Sequence, residues 1–199
     1  MAGKLVYQRQ IVVDRDDFSG SLTGWEVQAP WQIVNGQAQL PLTPGSTNFF
    51  DLLRWPTWIG DFANTSCIVE LVSASDQSNY AEFYCGMVGE NDLNKQVFFD
   101  IYGNYIRTNV WNKANNGYTE VIEYPYDPIA HRWLRIRHAG GRFYFDVSPN
   151  GGAWTELYSC PVPFDISRMW FDMGGGLYLN TSASVPPIIV DNFSLVQMP

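Results

Sequence analysis

The residues able to do chemistry are few. The two histidines, His131 and His138, sit at strand ends beside Arg132 and Arg137, and neither belongs to an HxH or HExxH arrangement. Zinc chemistry therefore has no recognisable ligand set. No GxSxG stretch marks a nucleophilic serine. Paired carboxylates are the remaining route to catalysis, because a glycosidase needs two of them flanking one bond. Glu120 and Glu123 stand three apart and fall on opposite faces of an extended strand, while Glu90 and Asp92 share parity in loop-forming sequence. The expectation is a non-enzyme, with a sandwich-fold glycoside hydrolase as the enzyme alternative.

Rings beside neutral amides form a better constellation. LLRWPTWIGDF holds Trp55 and Trp58 around a proline, and VWNKANNGYTEVIEYPYDP holds Trp111, Asn112, Asn115 and Tyr118. Flat rings stack on sugar faces, and amides both donate to and accept from hydroxyls. These six residues are the candidate glycan contacts; the competing reading is that the rings pack loops or line a subunit interface. A third constellation is acidic. Asp14, Asp16 and Asp17 crowd DRDDFSG, and Asp191 lies in VDNFSL. If the first and last strands pair, Asp17 approaches Asp191 and the two offer oxygen ligands for a structural calcium; solvated turn residues are the alternative. No other cofactor is implied.

The elements that must position these groups are strands. Alternation runs through SCIVELVS, YAEFYCGMV, KQVFFDIYG and NYIRTNVW, where Ile106, Thr108 and Val110 oppose Tyr105, Arg107, Asn109 and Trp111. In PPIIVDNFSLV the same rule puts Ile189, Asp191, Phe193 and Leu195 on one face. In RWLRIRHAGGRFYFDVS it predicts Leu134, Ile136, Phe143, Phe145 and Val147 on a buried face, turning on Gly140-Gly141. Helical spacing is missing, apart from one short turn predicted in PVPFDISRM. About a dozen strands follow, mostly antiparallel, which fold as a two-sheet sandwich or a barrel.

Composition narrows the partners. With 12 Lys plus Arg against 20 Asp plus Glu, the net charge of −8 opposes nucleic acid and anionic membranes. MAGKLVYQRQ has no signal-peptide core, and no apolar run approaches the ~18 residues of a membrane span. The three cysteines are odd in number and lack metal-ligand spacing, so buried free thiols made in a reducing cytoplasm are expected. Residues 1–13 are predicted as an arm or edge strand ahead of one sandwich domain over 14–199.

DDFSGSLTGWEV, WLRIRHAGGRFYFDVSPNGGAWTEL and VDNFSLV, in this order, resemble concanavalin A-like, laminin-G-like jelly-roll domains. The middle stretch is similar to minor tail proteins of actinobacterial phages, on Trp133, Leu134, Arg135, Ile136, Arg137, Gly140, Gly141, Ser148, Pro149, Gly151 and Trp154. Carbohydrate-binding modules share the opening and closing motifs. The resemblance implies an all-β, two-sheet antiparallel jelly roll and a virion protein, a minor tail or exterior decoration protein exposed on the particle. Other virion proteins, a homo-oligomer and host surface glycans are the implied partners. A carbohydrate-binding module or lectin of a cellular protein is the alternative.

Overall fold

The computed structural model describes residues 11–28, 30–43, 51–75, 81–90, 92–112, 117–177 and 184–198, with the backbone alone for 11, 13, 51–59, 92–93 and 117–120. Among the described residues it contains fifteen strands and no helix. Sheet A runs in the order β13 (Thr155–Pro161), β12 (Arg142–Ser148), β11 (Trp133–Ala139), β6 (Thr65–Ala74), β15 (Ile188–Gln197), β4 (Gln37–Leu40) and β3 (Gln32–Val34). β1 (Ile11–Asp16) also pairs with β15. Sheet B runs β10 (Gly117–Pro125), β9 (Tyr105–Asn112), β8 (Asp92–Tyr102), β7 (Ala81–Gly89), β14 (Met169–Leu177), β5 (Asp51–Gly60) and β2 (Glu26–Val27). The pairing is antiparallel throughout both sheets.

The β11–β12 hairpin follows the sequence expectation. Leu134, Ile136, Phe143, Phe145 and Val147 are all buried, and Gly140 and Gly141 both have positive φ, at 56° and 72°, as a two-residue turn with right-handed strand twist requires. Their partners come from sheet B: the Phe145 ring meets Phe99 edge-on at 5.3 Å between centroids. A second aromatic cluster closes one end of the core. Phe193 lies 4.5 Å from Phe171 and 5.2 Å from Trp25, and the Trp25 indole N–H donates to Asp16 Oδ2 at 2.8 Å. Each such ring contributes roughly 1.5–3 kcal/mol by leaving water. Cys67, Cys85 and Cys160 are buried free thiols, and burial pushes the Cys67 thiol up to about 12.

Two expectations are corrected. PVPFDISRM forms bends rather than a helical turn; the Asp165 carboxylate accepts the Ser167 N–H at 2.9 Å, an Asx contact that competes with helix formation. In β15, Ile188 and Val190 share the buried face with Phe193 and Leu195, because the register shifts between Asp191 and Ser194 and Asn192 takes φ 47°. That extra residue flips the parity which simple alternation carries through the strand. β1 spans residues 11–16, and its Ile11 and Val12 pair with β15 as Asp14 to Asp16 do; residues 1–10 of the expected arm or edge strand lie outside the described residues.

Candidate functional site

The outer face of sheet B departs most from an ordinary solvated surface. Period-two alternation turns Phe83, Cys85, Val97, Phe99, Ile106 and Val110 to the core, so the intervening residues point away from it. Register then builds rows across the strands. Arg107, Asp100, Tyr84 and Gly174 stand side by side; Asn109, Phe98, Gly86 and Asp172 form the next row; Trp111, Gln96, Val88 and Trp170 the next. Glu82 flanks the first row, opposite Tyr102.

Polar groups on this face are withdrawn from water. Glu82, Asp100, Asn109 and Asp172 are 7, 4, 2 and 6% exposed. Tyr84 and Phe98 meet edge to face at 6.3 Å, and the Arg107 guanidinium lies 5.1 Å from the centre of the Tyr102 ring. Arg107 forms an ion pair with Asp100 and lies 4.0 Å from Glu123. Burial raises the Asp100 pKa to about 8; the neighbouring Glu82, hydrogen-bonded to it, adds to the rise, and Arg107 opposes it. Asp100 therefore gives up its proton at a higher pH than an exposed carboxylate does. Arg107 Nε and Asn109 Nδ2 are buried without a hydrogen-bond partner. Leaving one such group unmade costs about 1–3 kcal/mol. These two atoms lie in adjacent rows of the face, flanked by rings.

The sequence-derived candidates fare unevenly. Trp111 lies on this face, half-buried. Asn112, its neighbour in β9, has the opposite parity; it is buried, and its Nδ2 donates to the Pro163 carbonyl at 3.3 Å. The strand therefore separates the two rather than pairing them. Trp55 and Trp58 lie in β5 and Tyr118 in β10, with Trp55 paired to Phe171 and Tyr118 to Trp111 along the backbone; their side chains, like Asn115, lie outside the described residues. Asp17 lies one residue beyond β1, which pairs with β15, and Asp191 lies in β15, but each is engaged locally. Asp17 Oδ1 accepts the Ser19 N–H at 3.1 Å, and Asp191 accepts from the Asn192 N–H at 2.8 Å and from Gln37 Nε2 at 3.3 Å. Among the described residues no three His, Cys, Asp or Glu side chains gather to hold a metal ion.

Sequence reasoning passed over Glu82, Asp100, Asp172 and Trp170. Glu82 and Asp100 occupy the outward parity of strands whose core parity was legible, and that parity was the signal available; β14, which carries Asp172 and Trp170, was not among the alternating runs read from the sequence.

No family model matches the chain, and no curated protein matches it. Solved structures do. The CBM2 module of Lactobacillus casei BL23 phage J-1 evolved Dit is 11% identical, with a TM-score of 0.72 over 97% of this chain and 98% of that one. A legume lectin-like domain from Entamoeba histolytica is 10% identical, with a TM-score of 0.66 over 89% and 92%. The fold is a concanavalin A-like jelly roll. The endo-beta-1,3-glucanase from Pyrococcus furiosus has it too, at 10% identity and a TM-score of 0.70 over 98% and 97%. At such identities the jelly roll is what these proteins share with this chain, and function rests on the site itself.

Proposed function

We propose that the protein is a glycan-binding jelly roll that uses the outer face of sheet B, binds without hydrolysing, and is displayed on the exterior of a phage particle. The observation that carries the binding reading is the buried, unmade hydrogen-bonding capacity of Arg107 and Asn109 beside Tyr84, Phe98 and Trp111. Sugars offer apolar ring faces and hydroxyl rims, and this patch offers rings and polar atoms that await partners. A legume lectin-like domain and a phage CBM2 module with the same fold support the reading.

Binding without hydrolysis is favoured by the carboxylates. A glycosidase holds its two carboxyl groups about 5–10 Å apart, one on each side of the bond. Glu82 and Asp100 hydrogen-bond to each other, so they act as one proton-sharing unit. The glucanase fold-mate and the third carboxylate, Asp172, favour hydrolysis as the second reading. Release of reducing ends from a β-glucan, lost in Asp172→Asn, would establish it.

The virion placement is supported by the tail-protein resemblance of the β11–β13 segment and by the phage origin of one fold-mate. Identification of the polypeptide in purified particles tests it. A glycan array tests binding: the wild-type protein should retain a subset of glycans, and Asn109→Leu should lose them. An array with no retained glycan, or one unchanged by Asn109→Leu, overturns the assignment to this face.

A further inference from the structure

A pocket of about 330 Å³ opens on the outer face of sheet A, lined by Arg15, Asp17, Trp133, Asn192 and Ser194 among others. Strand pairing assembles it. Arg15 of β1 opposes Ser194 of β15, and Trp133 of β11 opposes Glu70 of β6, which opposes Asp191. The pocket thus spans four neighbouring strands on the sheet opposite the face described above.

Its walls are held in place. A Cβ at Gly151, where φ is 72°, would lie 3.1, 3.2 and 3.3 Å from three carbons of the Trp133 indole. Such near-equal distances put the turn over the ring face, so the SPNGG turn pins the indole from one side and a side chain at 151 would dislodge it. On the far wall, Asn192 takes φ 47°, a conformation asparagine tolerates better than most residues. Its Nδ2 donates to Glu70 Oε2 at 2.6 Å, and Glu70 is buried and held by Arg132 Nε on its other oxygen, also at 2.6 Å. With its amide nitrogen committed to a carboxylate, Asn192 keeps Oδ1 as a free acceptor. The Ser194 hydroxyl and the Arg15 guanidinium make no hydrogen bond among the described residues.

We propose that this pocket binds a single uncharged sugar ring, as a second saccharide site independent of the outer face of sheet B. A pinned indole supplies the stacking surface; Asn192 accepts, Arg15 donates and Ser194 does either. Asp16 and Asp17 outnumber Arg15 among the lining residues, which disfavours a phosphate or a uronate and leaves a neutral ligand. The volume lies at the lower end of small-molecule sites, about 300–1,000 Å³, so one ring fits and a chain does not.

The test is an amide and indole NMR titration of the full chain with D-glucose, D-galactose, D-mannose and N-acetyl-D-glucosamine, each taken to its solubility limit. At least one sugar should shift the Trp133 indole and the Asn192 amide saturably. Ser194→Trp, which fills the pocket, should abolish the shift, and Arg15→Ala, at an exposed position, should weaken binding severalfold with the fold intact. Asn109→Leu, on the other sheet, should leave it unchanged, so this site can fail while the proposed glycan face stands, and the reverse. No saturable shift with any of the four sugars, or a shift that survives both Ser194→Trp and Arg15→Ala, overturns the proposal.

Discussion

Asp100 and Arg107 stand directly opposite each other on β8 and β9 and are joined by an ion pair on the outer face of sheet B. The pair is asymmetric: Asp100 also shares a hydrogen bond with Glu82, and burial raises its pKa from 3.8 to about 8 despite the guanidinium. A folded-state pKa above the unfolded one means the native protein keeps a proton that the unfolded chain releases. The resulting stabilisation is complete below about pH 4 and is lost as pH rises through about 8. Asp100→Asn should therefore flatten the fall in urea midpoint between about pH 5 and about pH 8. An Asp100→Asn protein that keeps the wild-type slope would mean that the carboxyl is ionised throughout.

His138 acts in the opposite direction. Its Nδ1 accepts the Asn64 N–H at 3.0 Å, and burial holds its pKa below the usual 6.5. The depressed value means stability is present above 6.5 and falls as acidification passes the folded pKa. His138→Gln, which keeps an acceptor and cannot titrate, should lessen the acid loss of urea midpoint below about pH 6. An unchanged acid limb would assign that loss to other groups.

How much of this was legible in the sequence depends on the strand. In WLRIRHA and RFYFDVS, alternation runs unbroken and the buried parity follows directly. In IIVDNFSLVQ, Asn192 inserts a bulge, and no feature of residue type distinguishes a left-handed asparagine inside a strand from an ordinary one. The binding face was legible by halves. Parity put Arg107, Asn109 and Trp111 on a common side, but which strands lie beside β9 is a matter of topology. The row from Arg107 through Asp100 to Tyr84 joins residues of three strands, and their burial becomes visible only when the sheet is assembled.

The core offers a direct stability test. Phe145 is fully buried between Phe99 and Tyr158. Phe145→Ala should cost about 3–5 kcal/mol in urea unfolding. Ile129→Ala, at a residue 76% exposed, should change stability by less than about 0.5 kcal/mol. Similar costs for the two would mean that the hairpin's buried side is misassigned.

Gly86 marks a close approach of β7 to β8. A Cβ there would lie 2.2 Å from the Val97 carbonyl oxygen and 2.5 Å from Phe98 Cβ. Backbone must move to admit it, so Gly86→Ala should destabilise by about 1–3 kcal/mol. At Gly20, nothing lies within 4 Å of the added carbon, and Gly20→Ala should be neutral or slightly stabilising by about 0.4–1 kcal/mol through the unfolded chain. Thermal unfolding of the two variants separates the cases, and equal midpoints would refute the close approach.

On the proposed glycan face, Trp111 and Trp170 occupy the same row, three strand intervals apart, which is about 14 Å at the usual spacing between strands. A glycan chain lying across the strands would meet both rings. Binding by one copy should still be weak, because each hydroxyl gives up water to be bound and an open face buries little area. Repetition on a particle would offset this, since a second contact at the same surface is made at high effective concentration and gains about 10²–10⁴ in avidity. The expectation is millimolar-range affinity for the isolated protein, on the order of 4 kcal/mol, and firm retention when the protein is presented in many copies on a bead. Trp111→Ala should abolish retention on the bead, where avidity amplifies a modest loss per site, while leaving the urea midpoint within about 1 kcal/mol of wild type, as befits a half-buried surface ring. Surface plasmon resonance against an immobilised glycan identified by array measures both forms. If the bead retains Trp111→Ala as well as it retains the wild type, the ring packs the sheet and the glycan contact lies elsewhere.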